Sequence, residues 1–401
     1  VALFAEAFLP KVDGVSKTAF LALRYLQMTG REVLVFAPDT AVHAVGKTRV
    51  IPLPSLPVPH APETRVAVPH PLVIQQLDAF KPDLIHMFSP ALLSWSGMVF
   101  GRQNRIPIIA NYQTDLPGYA AHYGFPLMAP IVRDYLRYVH NGCHLTLAPS
   151  TWTIRQLQQD GYRRLRRWGR GVNSQHFHPD HRSAAMRARL LNGRDPDRLI
   201  CLYVGRLANE KRVDLLLEVA RTPGIALTIV GDGGKRQELE ALFAGTDAYF
   251  MGYLFGDELA EAFASADLFA FTGTAETFGQ VVQEAMASGL PCLVVDQGGV
   301  VDLVRDGFNG FVLPTDAGAF AAAAARLRDD PDLRRQMGYN SRHLAEQNPW
   351  EVVLSQLEGF YSEALRMNAR LNRAYPPMSL LWSQWFNRAT PADRTWYDRV
   401  S

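Results

Sequence analysis

Thr272-Gly-Thr-Ala-Glu-Thr-Phe-Gly-Gln-Val-Val-Gln-Glu-Ala-Met-Ala-Ser-Gly289 is the stretch from which the fold can be read. The run before it, Asp267-Leu-Phe-Ala-Phe271, has the continuous apolar character of a parallel strand buried on both faces. From Gly279 to Ser288 the period changes. Val281, Val282, Ala285 and Met286 recur at helical spacing, and Gly289 supplies a helix stop. Strand, loop and helix in that order place the loop at the carboxyl edge of a parallel sheet, where open α/β sheets bind ligands. Glu276 falls in the loop and Glu284 inside the helix. The backbone N–H groups from Thr277 to Gln280 offer an anion site at the helix start. A carboxylate beside such a site suits a ligand that also carries hydroxyls, because ionised carboxylates accept strong hydrogen bonds from sugar O–H groups.

The same alternation extends in both directions. Upstream of the quoted stretch lie strand-like runs at Leu199–Val204, Ala226–Val230 and Tyr249–Met251; downstream lie Cys292–Val295 and Gly310–Leu313. The first half repeats the pattern with Val1–Ala5, Val33–Ala37, Leu84–Phe88, Ile106–Asn111 and Leu145–Ala148, separated by helical stretches such as Lys17–Gln27 and Pro71–Phe80. Two successive sets of βαβ units predict two doubly wound domains. The expected divisions are 1–172, 173–355 and 356–401, with the join near 168–195. After Pro314 the pattern is helical over Ala317–Arg328, Pro331–Gln347 and Trp350–Asn372. The tail from Pro376 carries Trp382, Trp385 and Trp396, which implies docking, first on the N-terminal domain and alternatively on a membrane surface.

A chain of 401 residues can bury two full cores, and its formal charge of +2 gives no bulk argument for a nucleic-acid partner. Cys143, Cys201 and Cys292 lie far apart in apolar runs and form no metal spacing, so they read as buried thiols of a reducing, cytoplasmic compartment. No apolar run reaches membrane-spanning length. The chain opens inside a strand-like run without an initiator Met, which leaves room for an upstream segment.

Further edge loops carry candidate chemistry. Tyr203-Val-Gly-Arg-Leu-Ala-Asn-Glu-Lys-Arg-Val-Asp214 brings Gly205, a fork donor at Arg206 and a point charge at Lys211 to a strand end, which suits a diphosphate or a solvated basic loop. Val230-Gly-Asp-Gly-Gly-Lys235 is a second glycine-rich loop. Neither is a dinucleotide fingerprint or a P-loop. In the first half, Gly14 allows close backbone approach, and Asp13 reads locally as a helix cap. Asn111-Tyr-Gln-Thr-Asp115, then Tyr119, His122 and Tyr123, stand where a parallel sheet places its site, or form an ordinary loop. His86 reads as structural. Arg163-Arg-Leu-Arg-Arg-Trp-Gly-Arg170 reads as a solvated basic face, with an anionic lipid or acidic glycan as the sharper alternative.

Taken together these residues resemble the retaining glycosyltransferases of family 4, whose GT-B architecture is two Rossmann-like parallel-sheet domains facing a central cleft. The resemblance covers nearly the whole chain. It rests on Val12-Asp-Gly-Val15, Val204-Gly-Arg-Leu207 with Lys211, Gly231-Asp-Gly233, and above all Glu276-Thr-Phe-Gly279 with Glu284 and the turn to Pro291. Tyr112-Gln-Thr-Asp115 and Trp168-Gly-Arg-Gly-Val172 resemble the bacterial α-mannosyltransferases that build glycolipids, with the sulfoquinovosyl-lipid synthases close behind.

The resemblance implies a GDP-mannose donor, or alternatively a UDP-sugar, and a glycan or lipid acceptor met peripherally at the inner membrane face. It implies that Arg206 and Lys211 grip the donor diphosphate, Glu276 with Phe278 and Gly279 meets the sugar, and Glu284 meets the ribose. Gly205 and Asp232 line the donor site, Tyr253 and Leu254 meet the base, and Gly14 closes on the diphosphate or acceptor. Asp13, Gln113, Asp115 and His122 are acceptor-side candidates; many family members carry a histidine where Gln113 stands. No cofactor and no metal are expected, since cations and helix amides can meet the diphosphate charge. An epimerase or phosphorylase, or a non-catalytic sugar-binding module, are the competing readings.

Overall fold

The computed structural model describes residues 1–9, 14–58, 61–118 and 126–374. Asp13, Tyr119, His122, Tyr123 and the three tail tryptophans lie outside them.

The first half forms β1 (Ala2–Ala5), α1 (Gly14–Met28), β2 (Leu34–Pro38), β3 (Ala44–Val45), β4 (Thr48–Leu53), the hairpin β5 (Ser55–Val58) and β6 (Ala61–Ala67), and α2 (Pro71–Phe80). There follow β7 (Ile85–Phe88), α3 (Leu92–Gln103), β8 (Ile108–Asn111), α4 (Ala129–Gly142), β9 (Leu145–Ala148), α5 (Thr151–Gln159) and β10 (Leu165–Arg167). Its sheet runs β10-β9-β8-β7-β1-β2-β4-β3, parallel except for β3. Strand order reverses between β1 and β7, the position at which doubly wound sheets open a ligand crevice.

The second half forms α6 (Ala184–Leu191), β11 (Leu199–Val204), α7 (Leu217–Arg221), β12 (Ile225–Val230), α8 (Arg236–Leu242), β13 (Tyr249–Gly252), α9 (Gly256–Ser265) and β14 (Leu268–Phe271). It continues with α10 (Gln280–Ala287), β15 (Cys292–Val295), β16 (Gly310–Leu313), α11 (Ala317–Asp329), α12 (Pro331–Glu346) and α13 (Trp350–Ala374). The all-parallel order is β13-β12-β11-β14-β15-β16. Every residue of β11, β12 and β14 is buried, so these strands are nearly continuous apolar runs rather than alternating; the one hydroxyl of β12, on Thr228, donates to the Leu190 carbonyl at 2.7 Å.

The sequence misses β3, β4, β10 and the hairpin. Thr48–Leu53 contains Pro52, which argues against an interior strand. Here β3 pairs only as far as Arg49, so Pro52 lies beyond its reach and costs the ladder no donor on that side. In the Arg163–Arg170 run, Arg163, Arg164, Arg166 and Arg167 are exposed, as a solvated basic face requires. Leu165–Arg167 is the edge strand of the first sheet, and its arginines are engaged within the molecule. Arg164 donates to the carbonyls of Cys143 and Asn141, Arg166 pairs with Glu363, and Arg167 approaches Asp302 at 3.6 Å.

Helix α13 returns from the second sheet to the first. Trp350, Val353, Leu354, Leu357, Tyr361 and Ala364 form its buried stripe at helical spacing and join the core containing Leu3, Leu23 and Trp168. The Trp168 indole N–H donates to the Val353 carbonyl at 2.9 Å. His86 is buried between the Tyr361 hydroxyl (2.8 Å) and Asn111 Oδ1 (3.0 Å), and burial holds its pKa down to about 4. Asn111 Oδ1 can only accept, so Nε2 carries the proton and Nδ1 accepts from Tyr361. Among the described residues no helix is long and apolar enough to cross a membrane.

Candidate active site

The loop between β14 and α10 turns at Gly279, whose φ of +97° is a left-handed conformation. A Cβ there would stand 2.5 Å from Val300 Cγ1, so glycine is required on both counts. The helix starts one residue later than the sequence reading. Glu276 lies above β14 and Glu284 in the buried face of α10.

Glu276 accepts a charge-assisted hydrogen bond from Lys211. Burial alone would push its carboxyl up. Lys211, with Arg170 and Arg206, more than offsets that and holds it below the usual range. Lys211 also lies 5.5 Å from the Phe271 ring centre, and its carbonyl accepts from the Thr272 hydroxyl at 2.7 Å. The loop after β11 is thereby fastened to the loop after β14. Arg206 pairs with Glu210 at 2.6 Å. Glu284 is different: burial pushes its pKa up to about 7, and Lys17 at 4.0 Å, with Arg170, only partly opposes this. One carboxylate is held charged and the other sits near neutrality.

The glycines of Gly231-Asp-Gly233 serve packing between loops. A Cβ at Gly231 would stand 1.9 Å from the Gly205 carbonyl oxygen, and one at Gly233 2.3 Å from that of Leu207. The two edge loops can pass only because neither carries a side chain there. Asp232 accepts from Arg236 at 3.2 Å, and its carbonyl takes the Leu207 N–H and the Tyr253 hydroxyl. Tyr253 is exposed beside this loop and stacks on Phe255, whereas Leu254 and Phe278 are buried.

Residues of the first half meet this loop directly. The Thr277 hydroxyl donates to the Gln113 carbonyl at 2.8 Å, and the Thr277 carbonyl accepts from Thr153 at 3.0 Å. Gln113 is buried, and its Oε1 has no partner among the described residues. The Asp115 carboxylate is occupied by the Tyr112 hydroxyl (3.2 Å) and the Gly118 N–H (3.1 Å). Gly14 opens α1 against the Arg170 guanidinium: a Cβ would lie 2.4 Å from Nη1.

Three residues escaped the sequence reading as site members. Lys17 and Arg170 reach the cluster from helix α1 and from the linker. Glu6, at the switch point after β1, accepts from Ala91 N–H, Ser94 N–H and the Ser94 hydroxyl through Oε1. Its Oε2 is buried without a partner among the described residues, and burial pushes the pKa up to about 7. An acid placed directly after the first strand was the available signal. Among the described residues no three His, Cys, Asp or Glu side chains converge in a metal-binding group.

Solved structures share this architecture. HepE of Anabaena, solved with UDP and glucose, superposes with a TM-score of 0.70 at 20% identity, covering 90% of this chain and 99% of that one. Sucrose-phosphate synthase of Thermosynechococcus elongatus gives 0.75 at 22%, with 90% and 98% covered. The fold is GT-B, the class of two-sheet glycosyltransferases. Residues 12–176 match the family described as Glycosyltransferase Family 4, and residues 189–344 that described as Glycosyl transferases group 1. A GDP-mannose-dependent alpha-mannosyltransferase of Mycobacterium tuberculosis is 40% identical over 91% of this chain and 97% of its own length. One of Corynebacterium glutamicum is 36% identical over 92% and 90%, and a sulfoquinovosyl transferase of Arabidopsis thaliana 33% over 91% and 74%. The chain belongs to glycosyltransferase family 4, and it is a glycosyltransferase.

Proposed function

We propose that this enzyme transfers mannose from GDP-mannose to a hydroxyl of a glycolipid or glycan, with retention, giving an α-mannoside. The carrying observation is the cluster at the carboxyl edge of the second sheet, where Lys211 pairs with Glu276 and Arg206 adds its charge to it, while Glu284 follows on the buried face of α10 with Lys17 4.0 Å away. The choice of donor follows the mannosyltransferase relatives, which align over almost their full length. In the reaction the sugar C1–O bond to the β-phosphate breaks, and the electron pair leaves with that phosphate oxygen. The acceptor oxygen bonds to C1 on the same face, and its proton passes to the departing phosphate. Arg206 and Lys211 neutralise the charge that develops there. Glu276 holds the sugar hydroxyls and Glu284 the ribose. No protein nucleophile, cofactor or metal is needed on this route, so turnover should persist in a chelator. The reading places the work on the cytoplasmic side, with the acceptor presented at the membrane surface; flotation with acidic-lipid vesicles tests that contact.

The test is calorimetric titration with GDP, UDP and ADP. Preference for GDP is expected. Preference for UDP would move the donor to a glucosyl, N-acetylglucosaminyl or sulfoquinovosyl nucleotide, as the plant relative's name suggests. Binding of none of the three would overturn the reading.

A further inference from the structure

At the carboxyl edge of the first sheet four buried side-chain atoms bond nothing among the described residues: Glu6 Oε2, Ser89 Oγ, Asn111 Nδ2 and Gln113 Oε1. A buried polar atom without a partner destabilises a fold, so a group of them at one edge points to something that the edge is built to hold. They follow the strand order. Glu6 comes directly after β1 and Ser89 directly after β7, while Asn111 ends β8 and Gln113 lies just beyond it. Ala5 is paired with Phe88 and Phe88 with Asn111; the Glu6 N–H meets the Phe88 carbonyl at 3.5 Å, and the Ser89 N–H meets that of Asn111 at 3.1 Å. Glu6 and Ser89 are therefore neighbours across the reversal between β1 and β7, on strands about 4.8 Å apart.

Both residues are held in place at a cost to the fold. Glu6 Oε1 accepts from the Ala91 N–H, the Ser94 N–H and the Ser94 hydroxyl, which ties the carboxylate to the start of α3 and leaves Oε2 as its unbonded end. Ser89 has a φ of +50°, a left-handed conformation rare outside glycine, and stands before Pro90, which favours extended backbone at the preceding residue. Strain of this kind gathers at ligand sites. The Glu6 and Ser89 oxygens do not bond each other. A hydroxyl between them can donate to the carboxylate and accept from the serine, whereas a phosphate would be repelled by the carboxylate. Asp115, the carboxylate expected on the acceptor side, is already engaged with Tyr112 and Gly118. The edge also leads to the donor side, because the Gln113 carbonyl takes the hydroxyl of Thr277, the residue after Glu276.

We infer that Glu6 and Ser89 bind the acceptor, holding one of its hydroxyls at the switch point of the first sheet. The acceptor is accordingly a polyol or a sugar, free or as a lipid headgroup, which keeps one hydroxyl here and offers another to the donor sugar. This rests on the glycosyl-transfer reading above and deepens it by giving the acceptor a chemical class and a place. The strain at Ser89 and the unbonded end of Glu6 then have a use, which begins when the acceptor arrives.

The experiment follows transfer from radiolabelled GDP-mannose to a detergent-dispersed extract of bacterial membrane lipids and, separately, to soluble methyl α-mannoside. Wild type, Glu6→Gln and Ser89→Gly are compared, with GDP calorimetry and thermal melts beside the kinetics. The probe that accepts sugar tells a lipid headgroup from a free glycan. Glu6→Gln keeps a carbonyl oxygen for the bonds to α3 and loses the anionic acceptor. It should raise the KM of the accepted probe about tenfold, with the KM of GDP-mannose and the affinity for GDP unchanged. Ser89→Gly removes the hydroxyl and relieves the left-handed strain. It should raise the same KM while melting no lower than wild type, an opposition of sign that a merely structural residue would not show. Unchanged acceptor KM in both variants overturns the inference and leaves the edge to buried water. A parallel rise of donor and acceptor KM overturns it as well, since it marks a displaced fold. Wild type that binds GDP but glycosylates neither probe overturns the acceptor class inferred here. Wild type that binds no GDP overturns the donor reading itself and the inference with it.

Discussion

Glu284 and Glu6 are both buried, and each has a pKa pushed up to about 7 by that burial. Each carboxyl holds its proton more tightly in the folded chain than in the unfolded one. The folded state therefore binds more protons from about pH 4.5 to 7, and stability falls as pH rises through that window. Glu284→Gln removes one of the two contributions. It should melt a few degrees above wild type at pH 8, from a contribution on the order of 1–3 kcal/mol, and level with it near pH 4.5. Calorimetric scans at both values check this; a lower melting point at pH 8 would show that attraction to Lys17 outweighs burial. Lys211 acts with the opposite sign on Glu276, which it keeps charged. Lys211→Ala should cut kcat/KM for the sugar donor by about 100-fold or more, by analogy with loss of an electrostatic transition-state donor. Turnover at the wild-type rate would remove Lys211 from the site.

The strands and helices of the second sheet were legible because a parallel strand buried on both faces is apolar throughout, as Leu199–Val204 and Cys292–Val295 are. Their ends moved by a residue or so. The misses have physical causes. Thr48–Leu53 tolerates a proline because its neighbour stops short, and Leu165–Arg167 is an edge strand whose charges find distant partners such as Glu363. Periodicity reports the face a residue buries, not the chain segment that will cover it. The candidate site was legible where one segment contains it, at Glu276 and Glu284, and illegible where it is assembled from segments more than a hundred residues apart, as with Lys17 and Arg170. Helix α13 is such a long-range element. Tyr361→Phe would leave His86 Nδ1 without its donor deep in the core. The expected cost is about 1–3 kcal/mol in urea unfolding, with donor affinity unchanged. A variant as stable as wild type would mean the buried imidazole finds another partner.

The two halves of the molecule are joined by more than the chain crossings at Val172 and Pro349, which themselves meet in an isolated parallel β-bridge. Asp302 of the second half accepts from the Thr151 N–H at the start of α5, and Thr277 is gripped between Gln113 and Thr153. The loop that carries Glu276 is thus held by residues of both halves, so the position of one domain bears on the candidate site of the other. Thr277→Val keeps the shape and loses the hydroxyl. It should lower kcat/KM about tenfold through misplacement of the loop, with little change in the unfolding midpoint. Nucleotide should also draw the halves together, seen as a smaller radius of gyration in solution scattering.

The most direct test of the account is the product itself. The enzyme would be incubated with GDP-mannose, a chelator and membrane lipids as acceptors, and the purified product examined by NMR at its anomeric carbon. GDP release coupled to an α-linked mannoside is the expected result. A β-linked product, or no transfer from GDP-mannose while a UDP-sugar is consumed under the same conditions, would contradict it.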